Sequence, residues 1–528
     1  MMFDVAIIGS GMGGSASAIM LAKLGYKVVL LEKGKLPRFV IGESTTPLLS
    51  KKIRYLGKTY QIPEFEHMAT YDSIVANKLP FTCGPKELFH YFWQEPGQTH
   101  AEVNGVAREI IVQTPEVDTQ LLRGESDKYL VDVAVNYGVD YRDMTDVTDI
   151  EFLPEQVLIS CVSPAGEAYQ LSAKFMIDSS GFKSLISQKL QLALPEAELD
   201  IPLRSRSIFT HFENINEFET VAHASEDFIN RSPAGRERAT QHHCFDGGWV
   251  WIIPFDNGVT SVGLNLDMDV FGNNDLPAEQ EFWQIIERFP IIHQMLAGKT
   301  TKFPFIKTGR IQHRVRNAVG DRWAMLPGAA VGGDAWFSTG LAFTLMCAHR
   351  IVDLLHTKML PNNHFCKNIL ANYETALFKE WKTTCTMVNG IYKSLKHFEV
   401  FKHYCFFCFM GAESFIYRRG IGAPHDMNLL LLNAGDEEFM QKFAHFYALV
   451  LELNQADTIT AEQIQYMRHF VQTEMKTYNF RDYGNPIFDG VHKRMPMPVW
   501  DGVSKPDMSR ARTDSQTANE KPSAMALA

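Results

Sequence analysis

A strand-length apolar run, Asp4-Val5-Ala6-Ile7-Ile8, passes without interruption into Gly9-Ser10-Gly11-Met12-Gly13-Gly14. Ser15 to Leu24 then has the small and apolar composition of a buried helix, and Gly25 ends it. Lys27-Val28-Val29-Leu30-Leu31-Glu32 reads as a second buried strand closing on an acid. Few folds accept that order. Gly9 allows the tight turn, Gly11 lets an anionic ligand approach the backbone, and Gly14 lets the helix close on the sheet. The helix start, at Met12 and Gly13, offers amides and the positive end of the dipole to phosphate. Glu32 follows Gly11 by 21 residues, near the ~20 at which an acid meets ribose hydroxyls, with Lys33 beside it. The pattern predicts an α/β, Rossmann-like dinucleotide-binding domain at the N-terminus.

The chain has 528 residues, and at about 150 residues per domain that length allows three. With 45% hydrophobic and 21% charged residues it is neither disordered nor collagen-like nor a coiled coil. A net charge of −10 leaves no global basic field for nucleic acid. Eight cysteines in this length do not make a disulfide scaffold. Met1-Met2-Phe3-Asp4 leads straight into the first strand, with no basic region and cleavable apolar stretch of a signal peptide. There is no run of 18 apolar residues for a membrane helix. The expectation is a soluble, cytoplasmic protein with reduced thiols and no integral membrane segment.

After Glu32 the strand-helix alternation of a nicotinamide dehydrogenase does not continue. The chain instead runs through Lys33-Gly34-Lys35-Leu36-Pro37-Arg38 and Ile41-Gly42-Glu43-Ser44 into a long mixed segment. This resembles FAD-binding monooxygenases, whose nucleotide domain is interrupted by a substrate sheet. Residues 80–115 read as strands, Val117 to Gly138 as a helix containing Arg123 and Asp127, and Val139 to Ile177 as strands with a hairpin at Pro164-Ala165-Gly166. Residues 205–268 are strand-rich, Leu276 to Phe289 is helical, and Trp323 to Ala330 returns as strand and turn. Leu341 opens a helix, and 345–480 is helical with Phe-, Leu- and Met-rich faces. From Ser504 the chain becomes polar and reads as a disordered tail.

Three further stretches, with the glycine loop, resemble the flavin-dependent halogenases, the tryptophan-halogenase-like superfamily. Gly248-Trp249-Val250-Trp251-Ile252-Ile253-Pro254 is a full Trp-x-Trp-x-Ile-Pro. Gly333-Asp334-Ala335-Trp336-Phe337-Ser338-Thr339-Gly340 is similar to the family's Asp-Pro-x-x-Ser-Thr-Gly, with Ala335 replacing the proline. Cys83-Gly84-Pro85-Lys86-Glu87-Leu88-Phe89-His90-Tyr91-Phe92-Trp93 resembles the segment holding the family's catalytic lysine, and Lys86 is the match. Lys52 and Lys78 have no motif around them.

The resemblance implies a fold of the PHBH/glutathione-reductase type: a Rossmann-like FAD-binding domain with an inserted antiparallel substrate sheet and a helical C-terminal region. On that reading residues 1–345 form the core, with nucleotide-binding segments near 1–45, 105–190 and 305–345. Residues 346–503 form a helical substrate-capping region and 504–528 the tail. The implied cofactor is FAD, delivered as FADH2 by a separate flavin reductase, because no second nucleotide site for NAD(P)H is visible. Oxygen adds at the flavin C4a to give a hydroperoxide, which oxidises chloride or bromide to hypohalous acid. The halide is held by backbone amides at Thr339 and Gly340, where amides leading into a helix suit an anion. Trp249, Trp251 and Pro254 separate flavin from substrate. Lys86 receives the oxidant, as hydrogen-bond donor or as haloamine, for electrophilic substitution. Gly9, Gly11, Met12, Gly13, Gly14, Glu32, Lys33, Glu43, Ser44, Arg123, Asp178, Gly328, Asp334 and Gly340 match cofactor-binding positions, Gly328 standing where many relatives carry Asp.

Free-tryptophan halogenases carry a glutamate directly before Ser-Thr-Gly, and here that residue is Phe337. The implied substrate is a small electron-rich aromatic, phenolic, free or tethered to a carrier protein. Alternatives stay open: a flavin-dependent aromatic hydroxylase of the same fold, an isoprenoid reductase, or a flavin-binding scaffold without turnover. No metal is expected. Cys405-Phe406-Phe407-Cys408 has no second pair and reads as a buried helix face, and His242-His243-Cys244 lacks ligand spacing. The aromatic run from Phe398 to Tyr417 reads as a packed lid or docking face.

Overall fold

In the computed structural model, which describes residues 2–418, 420–488 and 490–494, strand Met2–Ile8 is central to an eight-stranded sheet. It runs parallel to Val28–Leu31 on one side and Ala168–Asp178 on the other, so Ile8 is level with both Leu31 and Asp178. Trp323–Met325 and Asp140–Arg142 extend the parallel set outward. Val5, Ala6 and Ile7 are fully buried, as a parallel sheet covered on both faces requires. Helix Met12–Lys23 packs against helices Arg123–Asn136 and Gly340–Leu354.

The glycine loop is as tight as its sequence demands. Gly9 has φ +94°, and a Cβ there would lie 2.4 Å from the carbonyl oxygen of Ser179. A Cβ on Gly14 would lie 1.9 Å from the oxygen of Gly9. One on Gly13 would press Thr344 of helix Gly340–Leu354 at 2.4 Å, so the two helices meet through a residue with no side chain.

The second eight-stranded sheet runs, edge to edge, Ile306–Lys307, Ser205–Glu213, Val259–Asp267, Gly248–Pro254, Ala239–Phe245, Cys83–Trp93, Glu109–Leu121, Val491–His492. The expectation of an antiparallel sheet needs correction: Cys83–Trp93 and Ala239–Phe245 pair in parallel, as do Glu109–Leu121 and Val491–His492. These strands belong to separate passes of the chain, so no hairpin dictates their direction. The helix expected from Val117 begins only at Arg123, because Asp118–Leu121 still pair in strand Glu109–Leu121.

Alternate residues of the second sheet enter different cores. Trp249, Trp251 and Ile253 join the main core, and Val250 and Ile252 join the other. Phe89, Tyr91 and Trp93 face the first and Phe92 the second, as a period of two demands. The main-core face is roofed by helices Ala371–Ser394 and Phe398–Tyr417, with Glu437–Asn454 and Ala461–His469 behind them. Phe409 of the second of these meets Phe89 at 5.4 Å between ring centres. Cys405 and Cys408 are buried in that helix, and burial pushes both thiols up. The tail expected at 504–528 lies outside the described residues.

The loop geometry separates two glycines. Gly14→Ala is expected to destabilise the protein by at least about 3 kcal/mol, since its methyl group has only backbone to displace. Gly11→Ala is expected to cost under about 1 kcal/mol, because the atoms nearest its Cβ are 3.9 Å away. Denaturant unfolding of the two variants checks the contrast.

Candidate functional site

The first half of the site is the cradle at the end of strand Met2–Ile8. The helix that follows has Gly11 at its start with no side-chain cap, so its first amides have no intrahelical acceptor. The space over Gly11 is bounded by Arg123 and Asp127, each 3.9 Å from a Cβ placed there. Arg123 is locked in a two-pronged pair with Asp127, Nε–Oδ1 3.0 Å and Nη2–Oδ2 3.0 Å. It also donates to the carbonyls of Ile41 and Gly42. Glu32 accepts from the Ser10 amide at 3.0 Å, the Ser10 hydroxyl at 2.8 Å and the Gly34 amide at 2.9 Å. Burial raises its pKa, but these hydrogen bonds outweigh burial and the net direction is down. Open space, free amides, a fixed guanidinium and a terminal acid together fit a dinucleotide pyrophosphate and ribose.

Other residues expected at the cofactor are placed differently. Lys33 is exposed and pairs with Asp146 at 2.9 Å. The carboxylate of Asp178 is taken up by the Ser180 amide and hydroxyl, the Ser184 hydroxyl and the Ile186 amide, so it holds the turn beside Gly9. Gly328 has φ +90°, a conformation that resists a side chain, and its carbonyl meets His313 Nε2 at 3.1 Å. Glu43 and Ser44 turn toward the second sheet. Glu43 meets His211 at 2.7 Å and accepts from Ser261 at 3.1 Å, while the Ser44 hydroxyl sits 2.7 Å from Thr240. The reason is local: the Leu121 amide donates to the Glu43 carbonyl and Ser44 bridges Gln120, so this segment is pinned to strand Glu109–Leu121.

The second half of the site is Lys86. It is fully buried and donates to Ser44 Oγ at 2.8 Å and the Thr45 carbonyl at 2.7 Å. Its Nζ stands 3.8 Å from the centre of the Phe89 ring. Strict alternation would put residues 86 and 89 on opposite faces. The register breaks between Lys86 and Leu88, whose partners jump from Asp118 to Gln113, and such a break re-aims a side chain. Burial pulls the Lys86 amine well below the ordinary lysine value, opposed by the charge of Asp118. Burial pushes Asp118 up, against a 2.5 Å hydrogen bond from Ser50 and the pull of Lys86. The other lysines differ. Lys52 is buried against His349 and the Ile421 carbonyl, under the C-terminal helices, and Lys78 is exposed.

A third set of residues is an aromatic wall. Trp249 and Trp251 share a strand face, their rings 6.0 Å apart, and Pro254 ends that strand. Trp251 donates to Ser261, which donates to Glu43. Trp249 donates to the Tyr392 hydroxyl at 3.1 Å, and Tyr392 donates to Asp334 at 2.9 Å. Asp334 also accepts from Ser205 and the Trp336 amide, and burial raises its pKa. Its loop reaches Ser338, at φ +52°, and Thr339, which precedes helix Gly340–Leu354 without a side-chain cap. A Cβ on Gly340 would meet nothing within 4 Å, leaving the helix start open.

Sequence reasoning missed Trp336. It is fully buried, 5.0 Å from the Trp249 ring and 5.5 Å from Tyr91. Its Nε1 has no hydrogen-bond partner among the described residues. Its position inside the Asp334–Gly340 segment was the available signal. His242 is drawn into the same cluster, stacked on Tyr91 at 4.3 Å. Burial, then the charge of Lys86, drives its pKa down to about 3.

An apolar pocket lies beside Phe89, with an enclosed volume of about 50 Å³ and about 570 Å³ when its open mouth is counted. Thr46, Phe89 and Tyr91 form one side, Phe337 and Thr339 another, and Phe409 and Glu413 of helix Phe398–Tyr417 a third. The loop ending at Thr339 and the ring beneath the Lys86 amine thus line one cavity.

The comparisons with known proteins agree with this arrangement. Two curated relatives are tetracycline 7-halogenase of Kitasatospora aureofaciens, 32% identical over 65% of this chain and 61% of its own, and monodechloroaminopyrrolnitrin halogenase PrnC of Pseudomonas fluorescens, 31% identical over 69% of this chain and 63% of its own. The chain thus spans somewhat over three fifths of the length of these relatives. The crystal structure of halogenase PltM in complex with phloroglucinol and FAD shares the fold, with a TM-score of 0.82 at 22% identity, covering 92% of this chain and 98% of that one. The tryptophan halogenase family model matches residues 4–102 and 118–401, taking in the glycine loop, the Lys86 strand, the tryptophan wall and the Thr339 helix start: the chain belongs to the tryptophan halogenase family.

Proposed function

We propose that this protein is a flavin-dependent halogenase that uses reduced FAD, oxygen and chloride or bromide to halogenate a small electron-rich, phenolic aromatic. The observation that carries the reading is the single apolar pocket whose wall holds both Thr339 and the Phe89 ring beneath the Lys86 amine. When bound, reduced FAD with oxygen supplies the oxidising power that turns halide into hypohalous acid. The chain's own residues do the rest. The glycine loop, Arg123 and Glu32 hold the dinucleotide. The open amides at Thr339 and Gly340 hold the halide. Trp249, Trp251 and Pro254, braced through Tyr392 and Asp334, keep the organic substrate from the flavin side. Lys86 receives the oxidant and presents it to the ring. The new carbon–halogen bond replaces a carbon–hydrogen bond, whose proton leaves to a base.

Supporting the substrate class, the residue before Ser338 is the apolar Phe337, and it lines the pocket. The names of the relatives add a further option. A 1H-pyrrole-2-carbonyl-[peptidyl-carrier protein] chlorinase of Pseudomonas fluorescens is 26% identical over 73% of this chain, which supports a carrier-tethered substrate as the alternative to a free one. A separate flavin reductase is the proposed source of FADH2. No helix among the described residues is long and apolar enough to cross a membrane, and a cytoplasmic location is part of the proposal. The competing reading is an aromatic hydroxylase; the two-tryptophan wall and the buried lysine favour halogenation over direct oxygen transfer.

The decisive experiment is product mass spectrometry with reduced FAD, oxygen, bromide and a panel of phenols, free and carrier-loaded. A bromine isotope pair is expected, and an added oxygen without bromine overturns the reading in favour of the hydroxylase. Lys86→Ala is expected to lower brominated product at least ~100-fold while halide-dependent oxidation of reduced FAD continues. Loss of both together would assign Lys86 to the cofactor instead. Because burial lowers the Lys86 pKa, the neutral amine gains population at lower pH than in a free lysine. If Lys86 acts as a haloamine, product formation rises as pH climbs through that depressed value. If the ammonium acts as donor, product formation falls over the same window. The pH profile of product yield, measured at constant hypohalous acid production, distinguishes them.

A further inference from the structure

We propose that Glu413 is the substrate-anchoring residue of this pocket, its unpaired carboxylate oxygen accepting a hydrogen bond from an O–H or N–H group on the aromatic ring. The inference rests on the reading that the pocket takes the aromatic substrate.

Glu413 lies in helix Phe398–Tyr417 and lines the pocket while being 7% exposed. One carboxylate oxygen is fully engaged: Oε1 pairs with Arg481 Nε at 2.7 Å and accepts from the Tyr483 hydroxyl at 3.1 Å. The other, Oε2, is buried and has no hydrogen-bond partner among the described residues. Buried carboxylate oxygens are rarely left so, because desolvation of a charged acceptor is costly. The side chain is not free to turn away. Arg481 is tied to the carbonyls of Gln113 and Lys493, and Tyr483 is fully buried. The unpaired oxygen is therefore a fixed acceptor.

Its position suits the chemistry. Phe409 precedes Glu413 by one helical turn, on the same face, and Phe409 packs on Phe89. Phe89 is the ring over which the Lys86 amine stands. An aromatic substrate against these rings would present its polar substituent to Glu413. Phe337 leaves the helix-start side of the pocket apolar, so the acid comes from the far side, on a different element. A hydrogen bond from a phenol to a carboxylate also pushes electron density into the ring, which favours electrophilic attack. A site built to accept a donor rejects analogues lacking one far more strongly than an apolar pocket discriminates by size. The substrate class this selects is a ring bearing a phenolic O–H or a ring N–H, and its O-methyl or N-methyl analogues are excluded.

The test compares equilibrium binding of phloroglucinol and 1,3,5-trimethoxybenzene to the full chain. The wild type is expected to prefer phloroglucinol by at least ~10-fold. Glu413→Gln, which keeps an oxygen for Arg481 and Tyr483 but turns the free acceptor into a donor, is expected to bring the ratio to within about 3-fold. Its thermal unfolding, measured alongside, shows that the fold is retained. Equal binding of the two compounds by the wild type, no binding of phloroglucinol, or an undiminished preference in a folded Glu413→Gln overturns the inference. The wild-type comparison needs no variant and so stands even if the substitution impairs folding. Bromination of phenols with a Glu413-independent preference would remove this inference alone. Glu413-dependent binding without any brominated product would remove the halogenase reading and leave the anchoring role in place.

Discussion

The structure turns on keeping one amine out of water. Lys86 has no solvent contact, and a buried ammonium is tolerated only where acceptors and π faces replace hydration. Three elements supply them: Ser44 and Thr45 from the segment that crosses between the sheets, Phe89 from its own strand, and Asp118 from the neighbouring strand. Each must be in place before the amine can be. The crossing segment is pinned by the Leu121 amide and the Ser44–Gln120 bridge, so Ser44 and Thr45 are held at fixed positions for the amine. Burial pulls the pKa of Lys86 down and that of Asp118 up.

The same economy of connection joins the aromatic wall to the helix start. Trp249, Tyr392 and Asp334 form one chain of hydrogen bonds across the second sheet, a C-terminal helix and the loop leading to Thr339. The Tyr392 hydroxyl is both acceptor and donor in this chain, so removing it would leave Trp249 without its acceptor and Asp334 without one of its donors. Each indole N–H of the two-tryptophan motif is spent on a partner, which holds both rings in place. The C-terminal helices complete the pocket from outside the region that the motifs mark. Phe409 and Glu413 come from the aromatic run that reads, in sequence, as a lid or docking face. The edge-to-face contact of Phe409 with Phe89 makes this run part of the pocket wall.

Local chemistry determined much of this before folding. The glycine loop, its strand and Glu32 are legible because each position answers to a short-range requirement: a positive φ at Gly9, no side chain at Gly14, an acid at the end of the next strand. The two-tryptophan strand and the Lys86 strand are legible as motifs, and their alternation assigns Trp249 and Trp251 to one face. The partners that the side chains of Glu43, Ser44 and Asp178 take within the chain were not legible in the same way. Their side chains have several candidate partners within reach, and only the path of the chain through the seam chose among them.

What the tertiary structure alone decided concerns groups brought together from far apart in the chain. The register break that turns Lys86 toward Phe89 depends on the neighbouring strand, where Gln113 and Asp118 take successive partners. The parallel pairing of Cys83–Trp93 with Ala239–Phe245 depends on where separate passes of the chain come to lie side by side in one sheet. The unpaired oxygen of Glu413 depends on Arg481 and Tyr483 holding its other half. Sequence periodicity reports which face of its own element a residue occupies. It carries no information about what that face will meet, because that is settled by packing between elements whose separation along the chain runs to hundreds of residues.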